Sequence, residues 1–208
     1  MTSILKVDRI EARESGGNVT FGSPINPDGY SSNYRPGEII ETLGGVCYGQ
    51  TIIGTSGTYT WPNVTVKQDQ TNAYASVTGS QISYTPPSGT KHVNYRFQYK
   101  VQNDGAEFNI GHYYFAIDSV QVVDSRFTIG AQSYLETIVN FDWVIDIGSS
   151  DDTDVGSFAT WTSAKTLEMF GRNYDASGNE MDHHGTYYHE GTTSNVFNRP
   201  KLFITAIA

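Results

Sequence analysis

Residues 92–101, HVNYRFQYKV, decide the fold. Val93, Tyr95, Phe97, Tyr99 and Val101 alternate with His92, Asn94, Arg96, Gln98 and Lys100, and an uninterrupted period of two marks a strand with one apolar and one polar face. The apolar face belongs to a core. The other meets solvent or a partner subunit.

Outward from this strand the same signal recurs. Residues 201–208, KLFITAIA, form an apolar alternating stretch, and since a terminus frays unless it is tied down, a final strand inserted into a sheet is expected there. Ile39 to Cys47, Gly57 to Trp61, Phe127 to Ile129, Tyr134 to Ile147 and Thr160 to Asn173 are further strand candidates. Pro86-Pro87-Ser88-Gly89 reads as a turn, and His112 to Ile117 with Val120 to Val123 reads as a hairpin around Asp118-Ser119, a two-residue turn without the usual Gly. Seven to ten strands joined by short polar turns predict an all-β antiparallel sandwich or jelly roll over residues 39–208. No segment carries a helical apolar period of useful length, and no internal repeat points to a propeller or a β-helix.

Residues 1–38 are different. Ile4 to Glu11 alternates weakly, Gly16-Gly17 interrupts it, Val19 to Phe21 is a second short extended piece, and Pro24, Pro27, Asp28-Gly29 and Pro36-Gly37 make a linker-like stretch. Such a segment builds no core of its own. The expectation is therefore an extended N-terminal segment followed by one β domain, a division that suits 208 residues.

Composition narrows the function. Aromatic residues make up 13% of the chain and charged residues 17%, a balance that favours a rigid, Tyr-studded β protein. Thirteen basic residues against 22 acidic ones give a net charge of −9, which argues against the phosphate-neutralising surface that nucleic-acid binding needs. No apolar run of about 18 residues is present to form a membrane-spanning helix. MTSILKVDRIEARES has too short an apolar cluster for a secretory signal, so synthesis in a cytoplasm without export is expected. Asn18-Val-Thr20 and Asn63-Val-Thr65 then match the glycosylation pattern without a route to the enzyme. Cys47 is the only cysteine, so no intramolecular disulfide forms, and GGVCYGQ offers no local activating group; a small buried hydrophobe is the reading.

Three places carry candidate chemistry. Asp151, Asp152 and Asp154, with Asp146 upstream, bring hard oxygen ligands together on a turn, as a calcium site requires, but DDTD lacks the Gly and distal Glu of a dedicated loop; a solvated acidic turn is the competing reading. Asp182, His183, His184, His189 and Glu190 cluster in NEMDHHGTYYHEG, where His183 and His189 are placed to meet across a hairpin as metal ligands, although HExxH is absent. The competing reading is a surface loop rich in His and Tyr. No cofactor is expected beyond a structural ion. Catalytic motifs are missing: there is no G-x-S-x-G elbow, no phosphate-cradling loop and no Cys–His arrangement, while paired carboxylates for glycoside cleavage are a matter of spatial pairing. Tyr30, Tyr34, Tyr113, Tyr187 and Tyr188 are read as exposed contact surface, since Tyr gives large contact area at low entropic cost.

The opening, TSILKVDRIEARESGGNVTFGSPI, resembles the N-terminal signature of virion fibre proteins of marine tailed phages, in particular cyanophages: "LKVDxI", a polar stretch, a Gly pair, and an extended piece ending in Gly-x-Pro. Leu5, Lys6, Val7, Asp8, Ile10, Gly16, Gly17, Phe21, Gly22 and Pro24 match it. The body, through TGSQISYTPPSGT, VNYRFQYK, WTSAKTLEM and RPKLFITAIA, resembles the C-terminal domain of such proteins, and together the two cover most of the chain. It departs at Asp118-Ser119, where Asp-Gly is expected. The resemblance implies a homotrimer with a jelly-roll head like that of tumour necrosis factor, docked on tail or capsid proteins of the virion by its N-terminus and facing a host-surface glycan or protein with its distal loops. Leu5, Val7 and Ile10 are then the docking or trimerising residues, and Tyr187, Tyr188, His189, His183 and His184 the recognition surface. A capsid decoration, vertex fibre or tail adaptor shares this plan without a receptor. A depolymerase is the enzymatic alternative, disfavoured by the missing repetitive β-helix.

Overall fold

The computed structural model describes residues 34–103, 108–132, 135–174, 181–186 and 196–208. The chain divides into two units, Met1–Arg35 and Pro36–Ala208. In the second, the described residues form β1 (Ile39–Val46), β2 (Thr51–Ile53), β3 (Thr58–Thr60), β4 (Gln68–Asp69), β5 (Ala75–Ser76), β6 (Ile82–Tyr84), β7 (His92–Asn103), β8 (Asn109–Ile117), β9 (Val120–Gln121), β10 (Phe127–Ala131), β11 (Glu136–Asp146), β12 (Lys165–Asn173), β13 (Met181–His183), β14 (Gly185–Thr186), β15 (Val196–Phe197) and β16 (Lys201–Ile207). The helical content of the described residues is one 3-10 turn, Val123–Ser125.

Strand β7 is the spine. Its five alternating apolar residues, Val93, Tyr95, Phe97, Tyr99 and Val101, are all buried, each such burial contributing about 1.5–3 kcal/mol. Its outward residues form a polar ladder with β11: His92 Nδ1 lies 2.7 Å from Asp146 Oδ1, Arg96 Nε donates to Asp142 Oδ2 at 3.2 Å, Gln98 Nε2 to Asn140 Oδ1 at 2.6 Å, and Lys100 Nζ to Glu136 Oε2 at 2.6 Å. One strand thereby carries the hydrophobic core and the register of its neighbour.

The topology follows from pairing. β11 covers one edge of β7, while β16 and β13 share the other edge end to end, with β1 beyond β16 and β4 beyond β13. In the second sheet β8 and β12 are central; β10 and β9 flank β8, and β5 and β6 flank β12. Taking β5 with β6 and β9 with β10 as single positions, and setting aside the short β4 and β13 at the far end, leaves eight in these two sheets. Their partners run first with eighth, second with seventh, third with sixth and fourth with fifth, all antiparallel. That is one long hairpin rolled into two facing sheets, a jelly roll. The core between the sheets is aromatic, with Tyr95 against Phe115 at 4.8 Å between ring centroids and Tyr113 stacked on Phe127 at 5.2 Å.

KLFITAIA is the eighth position, held between β1 and β7, with Leu202, Ile204 and Ala206 buried. On its outer side Phe203 covers Gly44, where a Cβ would stand 2.1 Å from the Phe203 ring; this close approach is what requires glycine there. Backbone bonds from Gly37 N to Ala208 O (2.7 Å) and from Ala208 N to Glu38 O (2.9 Å) tie the last residue to the start of β1.

The sandwich has two distinct ends. The near end holds the start of β1, the end of β16 and the β8–β9 turn, where Asp118 and Ser119 have φ of 51° and 66°. Positive φ at both central residues is what a type I′ hairpin demands, and here non-glycine residues supply it. Asp118 offsets the strain by accepting from Thr166 N at 2.8 Å and pairing with Lys165 at 3.2 Å. The far end gathers the connections that leave β1, β7, β10 and β12.

Candidate functional site

At the near end, the acidic turn of residues 151–154 is a backbone device. Asp152 Oδ1 accepts from Asp154 N at 2.9 Å, and Asp151 Oδ1 accepts from Ala159 N at 2.8 Å. Such side-chain acceptors close Asx turns. Among the described residues no group of three or more His, Cys, Asp or Glu is placed to hold a metal ion. Of the calcium candidates Asp151, Asp152 and Asp154, the first two each spend one carboxylate oxygen on a main-chain amide of the turn. Asp146 pairs with His92 instead.

At the far end, the expectation that His183 and His184 form an exposed surface is corrected. They are 1% and 0% exposed. His183 lies on β13, which pairs with β7 and β4 at once, and His184, just after it, is held by main-chain bonds from its N to Lys100 O at 2.8 Å and from Asn198 N to its O at 2.7 Å. His183 Nε2 lies 3.2 Å from the Tyr113 hydroxyl and its Nδ1 3.3 Å from Gln68 Oε1; Tyr113 donates to Gln70 Oε1 at 3.0 Å. Tyr113, expected on the surface, is therefore core. His184 has φ +67° and its Nε2 reaches Thr78 O at 2.8 Å. Burial pushes His183 down to about 3, with the His184 charge adding to it, and His184 down to about 4, so both imidazoles are neutral inside. Beside them Asp182 meets Lys67 at 2.6 Å, yet burial, helped by Asp69, pushes its carboxyl up to about 6 against the pull of that ammonium. Tyr99 Oη, Gln70 Nε2, Gln102 Oε1 and His184 Nδ1 are buried without a hydrogen-bond partner. This cluster is polar packing. Tyr187, Tyr188, His189, Tyr30, Leu5, Val7 and Ile10 lie outside the described residues. Cys47 is buried, its Sγ 3.5 Å from Gly79 O, and burial pushes the thiol up to about 12, as an inert structural cysteine requires.

The flanks of the sandwich, where the two sheets part, are more informative. On one, the β2–β3 hairpin fills the gap between β1 and β6. Its turn is pinned by the buried Glu41, which accepts from Thr55 Oγ1 and Ser56 N at 2.9 Å each, from Ser56 Oγ at 2.5 Å, and from Tyr84 Oη at 3.0 Å. Burial alone would raise this carboxyl; the bonds from Ser56, Thr55 and Tyr84 outweigh it and hold Glu41 below the usual range, so it stays ionised with no cation among the described residues beside it. Gly54 leaves room for it, since a Cβ there would stand 2.2 Å from Glu41 Oε2.

On the opposite flank no strand of the described residues fills the gap: among them β10 pairs only with β8, and β11 only with β7. Between these two edges runs a groove of about 560 Å³ walled by Phe127, Ile129, Val139, Phe141 and Trp143. Phe127 stacks on Phe141 at 5.7 Å and Phe141 on Trp143 at 6.3 Å, so the core's aromatic stack continues out to the surface. Ile138 on its rim is 58% exposed, with Leu135 and Val144 close by in sequence and half exposed as well. Residue types along β10 and β11 give the apolar faces; only the fold reveals that they meet at an opening.

No family model matches this chain, and no curated protein does. Among solved structures it is similar to two described as infectious bursal disease virus, Gx strain and Gt strain, at 8% and 9% identity and a TM-score of 0.35 for both. The alignments cover 88% and 89% of this chain but only 41% and 43% of those chains, so it spans about two fifths of their length.

Proposed function

We propose that this chain is a non-enzymatic structural protein of a virion: a short fibre that docks through residues 1–38 and presents a homotrimeric jelly-roll head to the host surface. The observation that carries the reading is the open apolar flank. A groove lined by stacked aromatics and bordered by two unpaired strand edges is a liability in a lone molecule, inviting uncontrolled association, and a closed ring of identical copies covers it on every subunit. The polarity of the head supports the same plan. β1 begins at the near end, while β7, β10 and β12 finish at the far end, so the start of the head and the ends of its long strands lie on opposite sides. The phage-fibre-like opening of the sequence supports docking through the N-terminus.

Mass measurement in solution tests the assembly: three copies are expected at micromolar concentration, and a monomer overturns the fibre. Deleting residues 1–20 should leave the head folded by circular dichroism and abolish attachment to the particle. Imaging the virion tests the position. Density on a tail is expected, whereas density on the head capsid replaces the receptor-binding fibre with a decoration protein.

A further inference from the structure

The filled flank carries a second concavity, and its chemistry is opposite to that of the apolar groove. Outside the β2–β3 hairpin, where β3 faces the edge formed by β5 and β6, run two clefts of about 530 Å³ and about 420 Å³. They share Thr60, Ile82 and Ser83, and so form one elongated trough. Each is of ligand size, which is typically about 300–1,000 Å³.

Not one Asp, Glu, Lys, Arg or His lines either cleft. The walls set hydroxyls and amides beside the apolar Ile82 and Ala164, with Tyr59 in one cleft and Pro62 in the other. Thr60, Asn63, Thr78 and Ser83 are exposed, and among the described residues their side chains have no hydrogen-bond partner. Hydroxyls and an amide offer both donors and acceptors, which a polyhydroxylated ligand matches in kind, whereas a charged one would find no counter-charge in the lining. The chain's net charge of −9 further disfavours an anionic polymer.

We infer that this trough binds a neutral oligosaccharide, several uncharged sugar units lying along the β3–β6 gap with their hydroxyls bonded to Thr60, Asn63, Thr78 and Ser83. This deepens the fibre reading and rests on it for its biological sense, since a neutral surface glycan becomes the host ligand. It also moves recognition away from the far-end histidines, which are buried, to the side of the head.

Titration of the full chain with neutral glucan, mannan and galactan fragments, beside carboxylated and sulfated fragments of similar length, tests it. Saturable binding of at least one neutral fragment is expected, in the range of about 0.1–1 mM, with none for the charged ones. Thr60→Lys and Ser83→Asp, both at exposed positions, should each weaken it by about tenfold or more without lowering the melting temperature. Absence of binding across the neutral panel overturns the inference. So does binding that both variants leave unchanged, or a preference for the charged fragments. Measuring mass on the same sample separates the two readings: a trimer that ignores neutral sugars sinks the trough alone, and a monomer that binds them sinks the fibre alone.

Discussion

The two flanks of the sandwich face the same geometric problem in opposite ways. Wherever two twisted sheets part, backbone edges and core side chains come into view. On the β1–β6 side the chain inserts its own hairpin, pins it with the ionised Glu41, and leaves a surface of uncharged hydroxyls. On the β10–β11 side none of the described residues is inserted, and the stack Phe127, Phe141 and Trp143 runs out into a groove. The first flank is finished within one molecule. On the fibre reading proposed above the second is finished by other copies, and stability of the monomer and assembly of the oligomer would then map to different sides of one domain.

That division breaks most visibly at Glu41. Glu41→Ala leaves the Tyr84 hydroxyl and the Ser56 amide without their acceptor, and a loss of about 3 kcal/mol in unfolding free energy is expected from chemical denaturation, with mass per particle unchanged at temperatures where the head is folded. A dissociated yet equally stable head would show the assignment of the two flanks to be reversed.

Acid acts on the interior between them. The folded pKa values of His183 and His184 lie below the ordinary 6.5, so the stability they confer is complete above that value and is lost as pH falls towards 4 and 3. Asp182 works the other way: its raised carboxyl makes the folded state gain as pH falls through about 6. Two histidines outweigh one carboxyl, and a net loss on the order of 3 kcal/mol between pH 7 and pH 4 is expected. Glu41 adds to the loss only below its unfolded value of 4.5. Melting temperatures across that interval check the sign, and a flat profile contradicts neutral buried imidazoles.

A charge on the open flank should do the converse of the Glu41 change. Ile138→Lys alters an exposed side chain on the groove's rim, so monomer stability should stay within about 0.5 kcal/mol. Self-association should weaken by about tenfold to a hundredfold, read by sedimentation against concentration. Ser119→Gly belongs to neither flank and is the smallest expected effect. Relief of a positive φ should stabilise the head by about 0.5–1 kcal/mol in thermal melts, with assembly and sugar binding unaltered.

The sequence exposes some of this molecule and conceals the rest for physical reasons. β7 and β16 are legible because side-chain alternation is a local property, and both have apolar residues on one face only. The hairpin at Asp118-Ser119 is legible despite its missing Gly, because loop length fixes the register. Tyr113 was open to the same reasoning, since Tyr113, Phe115 and Ile117 alternate on one face of β8; judging tyrosine by type put it outside. His183 and His184 offered no such signal. Their burial depends on partners about 80 and 115 residues away in sequence, β7 for both and β4 for His183. Neither flank is local either: the groove and the trough each arise where strands distant in sequence come to lie as facing edges.

The pairing of first position with eighth has a temporal meaning. β1 is made early and its partner β16 last of the sixteen strands, so β1 waits through the synthesis of nearly the whole head with its edge unfilled. Nested pairings form most readily from the innermost turn, here β8 with β9 and β10, outward to β1 with β16. A chain interrupted before KLFITAIA leaves β7 with that edge bare and Phe97 and Tyr95 lacking their cover. Such a fragment exposes apolar surface and an unpaired strand edge together, the two features that make partly folded β chains prone to aggregate.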